Sequence, residues 1–348
     1  MRNLIPVFDG HNDCLLRLWM GGRDGAVDRF RKTDAGHIDL ERAKAGGLVG
    51  GFFAMFVPGD EPFDPSVFSS PPYDVPLPQP IGQVGALCAV EEQAQILHDL
   101  EVAGDVAICL SVRDIDTAIA AGRIAAVLHM EGAEAIDPDL QVLDQLYDLG
   151  LRSIGPVWSR PTAFGHGVPF RFPSDADIGP GLTDAGKRLV AECHRRKIVV
   201  DTSHLNMKGF NDIAEMGAPV VATHSNAFDV CPSARNLTDD QLRTIGQSGG
   251  IVGLNYATFF LEPGGRNDGP AASDAMVRHL DHMISLAGED AVGLGSDFDG
   301  APMPAGLGSC ADLPALTARL DAHGFGADLI AKITSQNWKS FLKRYWGA

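Results

Sequence analysis

The stretch "VFDGHNDCLL" (residues 7–16) runs an apolar segment straight into Asp9, His11 and Asp13. A strand turns residues i and i+2 to the same side, so His11 and Asp13 face together. An imidazole and a carboxylate aimed at one point make a metal corner, a buried ion pair, or nothing. What decides is whether the pattern recurs. The stretch overlaps a first apolar run, "LIPVFD" (4–9). Others follow at "GGFFAMFV" (50–57), "IAAVLHM" (124–130), "LRSIGPVW" (151–158), "KIVVDT" (197–202), "APVVATH" (218–224), "GIVGLNY" (250–256) and "AVGLGSD" (291–297). Helical patterns fill most of the gaps, at 88–103, 139–149, 183–196, 238–246, 273–287 and 326–345. Eight strands alternating with helices predict an α/β fold with a parallel sheet. Eight is also the number that closes a (β/α)8 barrel of the TIM type.

Loop lengths sharpen the reading. Connections entering the strands are short ("RRK", "MGA", "GQSG", "GED"), whereas those leaving them are long and rich in Gly and Pro, at 58–85, 159–181, 257–272 and 298–313. Long loops at one end only are expected where the carboxyl ends of barrel strands build an active site. The chain therefore reads as one catalytic barrel over residues 1–348, with 58–85 as a loop rather than an interdomain linker. Phe63, Phe68, Tyr73, Phe164, Phe170 and Phe172 lie in these loops, either walling a pocket or packing among themselves.

Composition narrows the function. The 348 residues are 45% hydrophobic and 21% charged, with a formal net charge of −17, ordinary for a globular protein. Such acidity repels phosphate backbones and anionic lipid, which argues against nucleic-acid and membrane-surface roles. The N-terminus lacks the apolar core and cleavage site of a signal peptide. No run of 18 apolar residues is present to cross a bilayer. Six cysteines are scattered without C-x-x-C and read as reduced thiols of a cytoplasmic protein. A homodimer is the commonest assembly for a chain of this kind.

The strand ends carry the chemistry. The first leads into His11 and Asp13, the third into Glu131, the fifth into His204, the sixth into His224 and the eighth into Asp297. All six converge on one mouth if the barrel closes. Nitrogen and oxygen donors without thiolate suit Zn²⁺, with Mn²⁺, Co²⁺ or Fe²⁺ as alternatives. They are too many for one tetrahedral ion and enough for two sharing a carboxylate. Other motifs fall away. "GQSGG" (246–250) has the G-x-S-x-G spacing but lies after a helix and before a strand, the reverse of a nucleophile elbow. "DFDG" lacks the later glutamate of a calcium loop. His129 shares the face of Glu131 and reads as a core residue. His279 and His282 read as a polar pair on the outer face of a helix.

With these residues in place, the chain resembles the metal-dependent dipeptidases typified by membrane (renal) dipeptidase, peptidase family M19. The resemblance runs end to end through "DGHND" (9–13), "EG" (131–132), "DTSH" (201–204), "THS" (223–225), "RN" (235–236), "HLDH" (279–282) and "GSDFDG" (295–300). It implies a barrel carrying two zinc ions. His11, Asp13 and Glu131 would hold one, with Glu131 bridging to a second completed by His204 and His224. Asp297 would be the catalytic acid/base and Arg235 the grip on the substrate's terminal carboxylate. The implied reaction is hydrolysis of a dipeptide's amide bond, with the stereochemistry of the C-terminal residue left open between L and D.

One position departs from the family. Trp158 stands where a histidine usually stabilises the tetrahedral intermediate. The oxyanion then falls to His166, eight residues on, or to zinc alone. Both residues are expected at the substrate. Two rival readings are another amidohydrolase-like reaction (lactone, phosphoester or deaminase chemistry) and a metal- or peptide-binding homologue without turnover.

Overall fold

Each of the eight apolar runs forms a strand in the computed structural model, which describes residues 4–59, 64–267 and 272–347. The strands are β1 (Val7–Asn12), β2 (Leu48–Phe56), β3 (Ile124–Glu131), β4 (Leu151–Gly155), β5 (Val199–Val200), β6 (Val221–Ala222), β7 (Ile251–Leu254) and β8 (Val292–Leu294). Parallel ladders join β1 to β2, β2 to β3, β3 to β4 and β4 to β5. A second set joins β6, β7 and β8. Two single parallel bridges close the circuit, Asp201 with Val221 and Asn12 with Phe298. The result is a (β/α)8 barrel. An additional short strand, Val106–Ile108, pairs with the start of β3.

Alternation along β3 sorts interior from exterior. Ala126, Leu128 and Met130 pack outward into the large core beneath the helices. Ala125 and Val127 face a separate inner core with Phe8, Phe52, Val199, Val221, Ile251 and Trp338. His129 and Glu131 continue that inward row toward the carboxyl end. The helices beside the site begin where capping side chains fix them. Thr183 accepts from Gly186 N–H, Asn206 from Gly209 N–H, and Thr238 forms a reciprocal capping box with Gln241.

The long loops fold back on the barrel's mouth. Tyr73–Val75 pairs antiparallel with Phe170–Phe172. Phe68 stacks on Phe259 at 3.9 Å between ring centroids, and Trp158 meets the edge of Phe170 at 5.5 Å. Of the aromatic residues noted in the sequence, Phe63 lies outside the described residues, and Phe164 is buried in the main core.

Candidate metal and peptidase site

β1 ends by delivering His11, and the chain turns into a helix at Cys14 with Asp13 at its head. The seam with β8 fixes both. Asp297 N–H donates to His11 C=O at 3.0 Å, and Asp13 N–H to Phe298 C=O at 2.8 Å. Asp9, the third polar residue of the opening stretch, takes no part in the site. Its two oxygens accept from Ser296 N–H and Oγ–H, both at 2.7 Å, and tie β1 to β8.

Glu131 sits at the centre. Its Oε2 is 3.7 Å from His11 Nε2, while its Oε1 is 3.0 Å from His204 Nε2 and 3.3 Å from His224 Nε2. Asp13 Oδ2 is 3.3 Å from His11 Nε2. His204 and Asp297 both adopt the left-handed backbone region, with φ of 67° and 60°. Non-glycine residues occupy it at a cost and cluster at functional sites. A Cβ on Gly300 would collide with Asp13 Oδ2 and Asp297 Oδ1, so a bare backbone leaves room for those two oxygens side by side.

Hydrogen bonds settle which imidazole nitrogens are bare. Thr223 Oγ–H donates to Asp201 Oδ2 at 2.5 Å, so its oxygen accepts from His224 Nδ1–H at 2.8 Å. Nε2 of His224 therefore carries a lone pair and faces Glu131. His204 Nδ1 has its own partner in Ser159 Oγ at 3.0 Å. The two Nε2 atoms lie 3.1 Å apart. Burial, with Arg235 and His11 adding to it, holds both imidazoles well below their ordinary pKa and hence neutral. Burial raises Glu131 well above the carboxylate range, against the opposing pull of His11. For His11, burial is overcome by Glu131 and Asp13, which push it up to about 10. Both ring nitrogens of His11 and Oδ1 of Asp13 are buried without a hydrogen-bond partner among the described residues. Lone pairs and carboxylates crowded this closely repel unless cations stand among them. The donor set fits zinc, and Nδ1 bonds of the His204 and His224 kind orient metal-binding imidazoles.

Arg235 is 4% exposed. Its Nη2 donates to His224 C=O at 3.0 Å and Nη1 to Ser225 Oγ at 3.2 Å. The guanidinium lies 5.4 Å from the Phe260 ring centroid, and its Nε is buried without a partner. Trp158 lies 5.8 Å from the His204 ring and against Phe56 and Phe170. Buried Arg160, paired with Glu134 at 2.6 Å, packs over the Trp158 face. His166 gives its carbonyl to Asn206 N–H at 3.2 Å. Its ring makes no hydrogen bond or ring contact among the described residues.

The structure thus brings together His11, Asp13, Glu131, His204, His224, Asp297 and Arg235, with Trp158 alongside. Sequence reasoning missed Ser159 and Thr223, which orient the imidazoles, and Asn255, which donates to Asp297 Oδ2 at 3.0 Å. Asn255 had a signal: it ends β7 in "GLNY", just as the candidate ligands end other strands. His279 differs from its sequence reading. It is fully buried rather than on an outer face, with Nδ1 accepting from Ala227 N–H and Nε2–H donating to Leu261 C=O. Ser248 serves structure, accepting from Val220 N–H and donating to Ile245 C=O.

A barrel whose mouth gathers bare imidazoles, carboxylates and an acid/base candidate defines a metal-dependent hydrolase of the amidohydrolase-like type. More narrowly, the chain belongs to the membrane dipeptidase family (peptidase family M19), whose model matches residues 1–344. It is a metallopeptidase. Among solved structures, it is similar to a metallo peptidase from Rhodobacter sphaeroides liganded with a phosphinate mimic of the dipeptide L-Ala-D-Ala. The two are 49% identical with a TM-score of 0.96, covering 99% of this chain and 100% of that one. It is equally similar to the dipeptidase AC, an M19 metallo peptidase, at 50% identity and TM-score 0.96 over 99% and 100% of the two chains. An uncharacterized protein in the PQQ-III 3' region of Acinetobacter calcoaceticus is 41% identical over 80% of this chain and 89% of its own.

Proposed function

We propose that the protein is a binuclear zinc dipeptidase that hydrolyses the amide bond of free dipeptides, including those with a D-residue at the C-terminal position. One observation carries the binuclear reading. The two oxygens of Glu131 serve different nitrogens, Oε2 toward His11 and Oε1 toward His204 and His224, the arrangement a bridging carboxylate requires. His11, Asp13 and Glu131 would hold one zinc, and Glu131, His204 and His224 the other. When bound, the pair would supply Lewis acidity toward the scissile carbonyl and an acidified water.

This chain's own residues supply the rest. Arg235 offers a planar fork to the substrate's terminal carboxylate. With that carboxylate fixed beside the metal ligands, room remains for a single C-terminal residue. Asp297 takes the proton of the attacking water and passes it to the departing amine nitrogen, the paired duty of a general base and then acid. Burial, with Asp13 adding and His11 opposing, raises its pKa above the ordinary carboxylate range, which suits a group that must hold a proton in transit. Trp158 presents an aromatic wall on the His204 side, and the His166 ring makes no hydrogen bond among the described residues, so neither is tied to another polar group beside the scissile carbonyl. The L-Ala-D-Ala mimic held by the Rhodobacter relative supports acceptance of a D-residue.

We assign the enzyme to the cytoplasm, as a homodimer acting on free dipeptides without nucleic acid or membrane. No described helix is long and apolar enough to cross a bilayer. The test is zinc-loaded protein assayed against L,L and L,D dipeptides, with tripeptides, dipeptide amides, lactones and phosphoesters alongside. Turnover confined to free dipeptides is expected, with about two zinc equivalents per chain by elemental analysis. Preferred turnover of a lactone or phosphoester would replace this reading, and tight dipeptide binding without cleavage would make the chain a binding protein.

A further inference from the structure

Asn255, at the carboxyl end of β7, is buried and held at every polar atom. Its side-chain Oδ1 accepts from Ala257 N–H at 2.6 Å. Its backbone N–H and C=O are both gripped by the Asn226 amide, each at 3.0 Å. The Ala257 bond identifies the oxygen of the Asn255 amide. Nδ2 is therefore the atom that faces Asp297 Oδ2 at 3.0 Å and lies 3.5 Å from His224 C=O. Among the described residues, this is the sole side-chain hydrogen bond made by the Asp297 carboxyl group.

We infer that Asn255 is a positioning residue that fixes the Asp297 carboxyl group and reserves Oδ1 as its proton-carrying oxygen. The inference rests on the acid/base role proposed for Asp297. An amide nitrogen donates and cannot accept, so Oδ2 is kept as an acceptor. Oδ1, which accepts no hydrogen bond among the described residues, is the open oxygen for a proton taken from water, and that same O–H breaks when the N–H of the leaving amine forms. Oδ1 is the oxygen that borders Asp13 Oδ2 across the bare Gly300 backbone. Asp297, His11 and Asp13 each offer an atom within 4.8 Å of the others. The carboxyl group thus presents its working oxygen to the ligand cluster, and the Asn255 bond opposes its rotation. Fixing a reacting group in this way reduces the reorganisation left for the transition state.

A double-mutant cycle on the zinc-loaded enzyme tests this. Asn255→Ser retains an oxygen for the Ala257 N–H, as turns built on serine do, but is too short to reach Asp297. We expect kcat to fall roughly 10- to 100-fold, the worth of a hydrogen bond to a charged group. KM, zinc content and melting temperature should stay close to wild type. In an Asp297→Asn background the same substitution should change kcat by no more than about twofold, the scatter of independent sites. An equal loss in both backgrounds, or a loss accompanied by departure of zinc, would overturn the inference while leaving Asp297 as acid/base. If Asp297→Asn alone leaves kcat intact, the acid/base role falls and the positioning role with it. Should Asn255→Ser not fold, Asn255→Thr carries the same comparison with a residue better suited to a strand end.

Discussion

Two side chains carry the claims that single substitutions can break. Asp297→Asn keeps size and much of the hydrogen bonding but cannot shuttle a proton. We expect kcat to fall roughly 10²- to 10⁴-fold, the usual worth of general acid–base catalysis, with zinc content unchanged. Loss of zinc along with activity would make Asp297 a ligand first. Arg235 is the proposed basis for selecting dipeptides by length. A hydrogen bond to a charged group contributes about 1.5–3 kcal/mol, so Arg235→Ala should lower kcat/KM on dipeptides by roughly 10- to 200-fold. Lysine should restore only part of this, because a point charge lacks the two-pronged contact. Dipeptide amides have no terminal carboxylate, so the wild type should turn them over poorly and the substitution should matter little for them. Equal damage to acids and amides would mean that Arg235 acts through Ser225 and the His224 carbonyl, as a brace. The metal-ligand candidates were legible in the sequence because each is a His, Asp or Glu closing an apolar run. Thr223 and Ser159 were not, because a hydroxyl near a strand end has no distinctive spacing, whereas Asn255 was overlooked although it directly follows β7.

Elements differ in what they reveal. The eight strands stood out because each is buried on both faces and so reads as a short apolar run. The helix Cys14–Met20 escaped because "CLLRLWM" is short, carries Arg17 as its sole charge and so reads as another apolar run. The helix Met207–Glu215 carries Gly209, a poor helix former, at a point packed against the Leu205 and Asn206 side chains. Tyr73–Val75 pairs with Phe170–Phe172 across roughly a quarter of the chain, which no local pattern can announce. Within the helix Ala272–Ala287, His279 was misplaced because a hydrogen-bonded buried imidazole and an exposed one share the same letter. Burial pushes its pKa down to about 4, against 6.5 in an unfolded chain. The unfolded state therefore binds the proton first as pH falls. The stability from neutral His279 is complete above about pH 6.5 and drains away between 6.5 and 4, by about 3 kcal/mol in all. Urea unfolding of wild type and His279→Gln across that range isolates this term, since the metal site's own pH dependence is common to both. Wild type should lose more stability than the variant on acidification. Parallel curves would show that His279 is protonated in the folded protein.

At the scale of the molecule, closure of the barrel is what assembles the site. His11 and Asp13 come from β1, Asp297 follows β8, and the two strands meet at a seam bridged by Asn12 and Phe298. Trp338 stands behind that seam. It is fully buried, its indole N–H donates to Leu294 C=O at 2.8 Å, and its ring packs 5.1 Å from Phe52. Gly10 in β1 and Gly293 in β8 have no side chains because a Cβ at either would strike this ring. A π-helical turn, Lys332–Gln336, leads into the helix Asn337–Trp346 that carries it, and Asn337 is anchored to the carbonyls of Glu289 and Val292, both at 2.7 Å. The C-terminal helix therefore plugs the barrel from below while the candidate metal ligands line its mouth. Trp338→Ala should cost about 3–5 kcal/mol of stability, the usual price of removing a buried Trp or Phe ring. Because β1 and β8 would lose their shared support, the damage should reach the site above. Chelator should then strip zinc faster from the variant than from wild type at a temperature where both remain folded. Trp338→Phe, which keeps most of the ring and loses the Leu294 bond, should fall between them in both measurements. A variant that is destabilised yet holds zinc as tightly as wild type would show that the seam bonds from Asp297 to His11 and from Asp13 to Phe298 keep the ligands together without the plug.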